Sequence, residues 1–223
     1  MDLTTVHNLG ICGATSALVL KQELAQALSL NADLYLLLTG TNDMLCFSGN
    51  GVSLDEYERN MRLLISALLA KGRLFLLSIP PNVESLEYLR QPSGGWRNGS
   101  PEERIRAGNR ILSVLAGEFS LPFCDLFALF SGCDLTSRES PLINLANSGD
   151  PDGTHPTAAG AALIAESVFN RIQTEGLFPR RVVCLGDSIT CGAKLAGQGT
   201  SEGDTYPACL QRRLNARIRT SGG

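Results

Sequence analysis

The sequence is short of histidine, with two among 223 residues, and it holds a single tryptophan. Any chemistry that needs an imidazole must draw on His7 or His155. No apolar run approaches the roughly 20 residues that span a bilayer, which excludes a transmembrane helix. The start, MDLTTVHNLG, carries an acid at Asp2 and no basic segment ahead of an apolar one, so it does not read as a secretory signal. A cytoplasmic protein with no membrane partner is expected. Basic residues are scattered and the formal charge is -3, which removes the electrostatic footprint of a nucleic-acid binder. Small neutral partners fit better. The seven cysteines, Cys12, Cys46, Cys124, Cys133, Cys184, Cys191 and Cys209, are an odd set without a CxxC pair or a companion histidine spacing. Neither a complete disulfide framework nor a zinc site follows, and most are expected to act as small buried hydrophobes.

What is present is enough apolar residue, 43%, to bury one sizeable core, and no linker, repeat or low-complexity tract divides the chain. A single domain over 1–223 is expected. Apolar runs of strand length alternate with helical periodicity, which favours parallel βαβ units whose strands are covered on both faces. The strands predicted are Thr5–Leu9, Asp33–Thr39, Arg73–Ile79, Pro122–Leu126 and Arg181–Gly186. Helices are predicted near Ala14–Leu28, from Ser53 and Glu56 to a stop at Gly72, from Ser100 to about Phe119, over Thr157–Gln173 and over Tyr206–Ile218. The segments Pro80–Gly99, with Trp96, and Leu129–Gly153 read as long loops.

The string GDSIT begins at Gly186 and places Ser188 at the carboxyl end of a buried strand, where parallel sheets bind their ligands. A strand-end serine by itself is more often a turn residue, so the test is whether a base can reach it. His155 lies in DPDGTHPT, a turn-rich loop before a helix, with Asp152 three residues upstream. One loop could hold that carboxylate against the imidazole and fix its tautomer, leaving the other ring nitrogen to take the serine proton. His7 sits inside an apolar strand and reads as structural. Acyl transfer also needs donors aimed at the developing oxyanion. Asn42, in LTGTND, offers a side-chain amide after another strand end, and Gly13, in NLGICGATS, offers a backbone N–H after a third. Asp187 reads as a brace for the turn.

These blocks together resemble the SGNH (GDSL) hydrolase family, named for its serine, glycine, asparagine and histidine. GDS at Gly186–Ser188 resembles its nucleophile block, Gly13 and Asn42 its two oxyanion blocks, and DGTHP from Asp152 its acid and base block. The resemblance implies a three-layer α/β/α sandwich with a mostly parallel, flavodoxin-like sheet of five strands. It also implies hydrolysis of carboxylic esters through an acyl-enzyme, with no cofactor and no metal. Ser188, Asp152 and His155 would form the triad, and Ser188, Gly13 and Asn42 the oxyanion hole. One departure matters: the serine block comes first in the family and last here. Rotating the order restores the pattern, so a circular permutation is expected, with 181–223 supplying the first strand and helix and 1–180 the rest.

Three other readings bear on the same residues. A phosphate loop fails on spacing, because five residues separate Gly186 from Gly192, Ala193 precedes Lys194, and Leu195 follows it. Cysteine chemistry through Cys191 or Cys12 would require the histidine to serve a residue off the expected spot. A carbohydrate- or acyl-binding module without catalysis would suit a chain that had lost Ser188, Asp152 or His155, and all three are present. Ester hydrolysis leads, with short acyl groups, acetyl on carbohydrate among them, favoured over long lipids. Phe47 and Trp96 stand in the loops expected to choose the substrate, Met44–Val52, Pro80–Gly99 and Leu129–Gly149.

Overall fold

The computed structural model describes residues 3–45, 52–91 and 99–221. In chain order the elements are β1 (Thr5–Asn8), α1 (Ser16–Leu18), a π-helical turn (Val19–Glu23), α2 (Leu24–Ser29), β2 (Leu34–Leu38), α3 (Thr41–Leu45) and α4 (Leu54–Leu69). Then come β3 (Arg73–Leu77), α5 (Glu84–Arg90), α6 (Pro101–Glu118), β4 (Phe123–Cys124), α7 (Leu126–Ser131) and α8 (Leu145–Ser148). The last are α9 (Ala158–Thr174), β5 (Arg181–Gly186), α10 (Ser188–Cys191) and α11 (Tyr206–Ser221).

The five strands form one sheet in the order β1-β5-β2-β3-β4, and every pairing is parallel. Alternation along the strands explains the layers, since successive side chains face opposite sides of a sheet. Leu34, Leu36, Leu38, Val182 and Cys184 pack with residues of α9 and α11, such as Ile164, Val168, Tyr206 and Leu210. Tyr35, Leu37, Val183 and Leu185 pack the other way, with Val19, Met61, Leu64, Leu112 and Leu115. The result is a three-layer α/β/α fold whose central strands are apolar on both faces. β2 is buried at every position.

Helix starts follow the capping chemistry. Ser100 accepts from the Glu103 amide while Glu103 returns a bond to the Ser100 amide, with Pro101 in the first turn. Such a cap is worth about 1 kcal/mol. Ser53 accepts from the Glu56 amide at 3.1 Å. Several elements differ from the sequence expectation. The helix at Ala14–Leu28 is broken by the π turn, and α4 ends at Leu69, short of Gly72. The expected loop Pro80–Gly99 contains α5, and Leu129–Gly153 contains the end of α7 and all of α8. Short helices capped by Asp125 and Asn144 carry too few turns to show a periodicity. Cys46, Phe47 and Trp96 lie outside the described residues.

The last helix returns to the first strand. Asn215 on α11 accepts from the Thr4 amide at 2.7 Å and donates to the Thr4 carbonyl at 3.1 Å, and Gln211 accepts from the Val6 amide at 2.8 Å. The two ends of the described chain therefore lie side by side. Among the described residues no helix is long and apolar enough to cross a membrane.

Candidate active site

β5 lies between β1 and β2, so the turn after it meets the turns that follow both neighbours. Gly186 ends β5 with its Cα against the Leu38 carbonyl, and a Cβ there would sit 1.8 Å from that oxygen. Only glycine allows the approach. Asp187 then caps α10 by accepting from the Ile189 amide at 2.9 Å, which sets Ser188 as the first residue of that short helix. Burial raises the pKa of Asp187, against hydrogen bonds from Ile189 and Thr41. Its part is to hold the turn.

The loop with His155 is pinned on both sides. Gly153 donates to the Ile143 carbonyl and accepts from the Val83 amide, and Ile143 donates to the His155 carbonyl, all at 2.8–2.9 Å. Within the loop the buried carboxylate of Asp152 accepts from the amides of Thr154 and His155 at 2.9 and 2.7 Å. The imidazole Nδ1 stands 3.0 and 2.9 Å from the two Asp152 oxygens, and Nε2 stands 2.9 Å from Ser188 Oγ. The network is satisfied when Nδ1 carries the proton and Nε2 accepts from the serine hydroxyl. Asp152 is held far below the usual carboxylate range. Burial works against the charged form, and the bonds and charge of His155 and Lys194 more than offset it.

Gly13 follows β1 in the left-handed region, at φ 79°, with open space on its Cβ side. Asn42, on the first turn of α3, is buried and donates from Nδ2 to the Ala14 carbonyl at 2.9 Å. That bond fastens α3 to the Gly13 loop. An amide carries two hydrogens, and one remains for a ligand. Beside α3 a cleft of about 310 Å³ opens between Met44, Val52, Leu54, Glu103, Arg104 and Ala107. His7 stands in β1, in register with Val183, away from these strand ends.

Several buried groups around the site were not singled out from sequence. Glu23, in the π turn, accepts from the Gly186 amide at 2.8 Å. Its signal was its spacing: it lies four residues from both Val19 and Ala27, so it falls on the buried stripe. Asp43 accepts from the Ser16 amide and from Ser16 Oγ, the latter at 2.6 Å, and burial pushes it up to about 6. Glu87 on α5 accepts from the Thr154 hydroxyl, and Arg90 donates to the Asp152 carbonyl at 2.9 Å. Lys194 donates to Asp150 and Asp152 together. No sequence spacing links α5 or Lys194 to the loop at 152–155; only the tertiary fold does. Among the described residues no group of three or more His, Cys, Asp or Glu side chains is placed to hold a metal ion.

Residues 1–163 match the model of the GDSL-like lipase/acylhydrolase family. Searched against curated proteins, the sequence matches none. Among crystal structures, the lipase/acylhydrolase from Enterococcus faecalis is similar at 18% identity and TM-score 0.58, over 73% of this chain and 72% of that one. The acetyl xylan esterase AlAXEase follows at 19% and 0.56, over 73% and 78%. A GDSL-like lipase from Bacteroides thetaiotaomicron VPI-5482 stands at 20% and 0.53, over 73% of each chain. At such identities the likeness is one of fold.

Proposed function

The chain belongs to the GDSL-like lipase/acylhydrolase family and is a serine ester hydrolase, and from that premise we propose that Ser188 is its nucleophile. The observation that carries the assignment is the hydroxyl of Ser188 set 2.9 Å from His155 Nε2, with Asp152 on the other ring nitrogen. His155 takes the proton as Ser188 attacks the ester carbonyl, and the buried Asp152 carboxylate stabilises the imidazolium that forms. The amides of Ser188 and Gly13 and the side chain of Asn42 hold the oxyanion. His155 then protonates the departing alcohol and activates the water that releases the acid. Cys191 is a poor rival, since burial, with the neighbouring Cys12 adding to it, pushes its thiol up to about 12.

Short acyl groups are the preferred substrates in this reading, acetyl on carbohydrate among them. The acetyl xylan esterase among the fold relatives supports it. Turnover of aryl esters of increasing acyl length by wild type and Ser188→Ala tests both parts. Loss of at least about 10³ in kcat in the variant is expected, with acetate cleaved faster than octanoate. Equal rates in the two proteins overturn the assignment; sugar binding without turnover points to a binding module.

The chain order is read as a circular permutation of one domain. The family match stops before Ser188. Counting β5 as the first strand turns the sheet order into 2-1-3-4-5, the flavodoxin-like order. The Thr4–Asn215 pair also brings together the ends that such a rearrangement would have separated.

A further inference from the structure

Lys194 carries no role in the reaction as described so far, yet its ammonium bonds the acid of the triad. Its Nζ donates to Asp152 Oδ2 and, at 2.6 Å, to Asp150 Oδ2. The oxygen that it takes on Asp152 is the one 2.9 Å from His155 Nδ1. Ammonium and imidazole are thus no more than about 5.5 Å apart. The backbone is committed to this arrangement. α10 ends on Gly192 in the left-handed region, and Lys194 itself holds φ 67°, uncommon for a residue with a side chain. Gln198 Oε1 accepts from the Lys194 amide at 3.1 Å and keeps the turn closed.

Resting on the function proposed above, we propose that Lys194 is a positioning residue which clamps Asp152 and sets the lower pH limit of catalysis. Lys194 lies six residues after Ser188, so the nucleophile segment grips the acid–base loop twice, through Ser188–His155 and through Lys194–Asp152. The second grip holds a carboxylate with no exposed side-chain surface by an ammonium whose side chain is 43% exposed. A cation sharing the Asp152 oxygen also weakens the pull of that carboxylate on an imidazolium. Other charged groups facing the pair are fixed. Asp150 draws on the same ammonium, Arg90 stands 3.9 Å from Asp152 Oδ1 with Glu87 behind it at 3.6 Å, and buried Asp187 acts on His155.

The test is the pH profile of kcat and KM on an aryl acetate for wild type, Lys194→Met, Lys194→Arg and Asp150→Asn. In Lys194→Met the acid limb moves up by roughly 0.5–1 pH unit, since a single charge is removed from a partly solvated site. Its plateau kcat falls about 2- to 10-fold as the acid loosens, with KM within about twofold. Lys194→Arg restores the limb, and Asp150→Asn, which leaves the ammonium to Asp152 alone, moves it down. A proton NMR titration of the imidazoles reads the same shift without catalysis. There are only two histidines, and His7→Gln identifies the other. An unmoved limb and titration in Lys194→Met overturn the proposal, as does an arginine variant shifted like the methionine one. If wild type and Ser188→Ala turn over esters equally, the function reading fails, while the NMR titration still decides the Lys194–Asp152–His155 coupling.

Discussion

The amide of Gly186 donates to Glu23 Oε2 at 2.8 Å, so the strand that delivers Ser188 ends against a carboxyl group from the opposite layer. Glu23 is 1% exposed, and its other oxygen meets no partner among the described residues. Burial pushes its pKa up to about 8, with the Gly186 bond working against the rise and the charge of Asp187 adding to it.

A pH dependence of stability follows. The unfolded chain releases this proton near 4.5 and the folded chain near 8, so between those values the native state binds more protons. Glu23 therefore stabilises least at high pH, with a slope approaching about 1.4 kcal/mol per unit. Urea unfolding at pH 5, 6.5 and 8 should show Glu23→Gln gaining on wild type as pH rises. A constant difference contradicts the buried, protonated acid.

Two glycines should respond differently to alanine. At Gly186 the new Cβ meets the Leu38 carbonyl at 1.8 Å, so Gly186→Ala should cost at least about 2–3 kcal/mol and displace the nucleophile turn. At Gly13 there is open space and only the backbone objects, at φ 79°. Gly13→Ala should cost about 1–2 kcal/mol while lowering kcat. Chemical denaturation and ester turnover separate the two cases.

Removing the charge of Asp152, the acid of the proposed triad, should spare the fold more than the reaction. Asp152→Asn keeps an oxygen for the Thr154 and His155 amides but loses the anion that stabilises the imidazolium. A fall of about 10³–10⁴ in kcat with KM nearly unchanged is expected. Steady-state kinetics on one aryl ester are sufficient.

Asn42→Ala removes the proposed oxyanion donor together with the bond to the Ala14 carbonyl. A loss of about 10²–10³ in kcat is expected. Titration with an aldehyde that forms a tetrahedral adduct should weaken in proportion, whereas binding of the product acid should not.

The proposed permutation can be undone by design. A gene that places 181–221 ahead of 3–180, joined by a short glycine-serine linker, should fold with the same circular dichroism and retain ester turnover. Failure of that chain to fold would count against the permutation.

Most of the sheet was legible because its strands are apolar runs too short to be helices: β5 keeps the predicted bounds, and β1, β2 and β3 lie inside their predicted runs, shorter by one or two residues. β4 is cut to Phe123–Cys124 by Asp125, which turns away to cap α7. The pairing of Ser188 with His155 could be posed from sequence because the chemistry limits the partners to two imidazoles. What the sequence hid was what holds them. Glu23, Lys194 and Glu87 each act across more than 40 residues of chain, through bonds to Gly186, Asp152 and Thr154. The partners of such contacts cannot be read from local spacing; only the burial of Glu23, four residues from Val19 and from Ala27, could be. The π turn was hidden too, since it adds one residue to a helix without changing its composition.

Covalent capture of the nucleophile tests the central claim most directly. A fluorophosphonate that phosphonylates activated serines is added to wild type and to His155→Asn, and the modified peptide is mapped by mass spectrometry. The arrangement of Ser188, His155 and Asp152 predicts one adduct, on Ser188, formed by wild type and slowed at least about 10³-fold in the variant. An adduct on another residue, or labelling of Ser188 at the same rate without the imidazole, contradicts it.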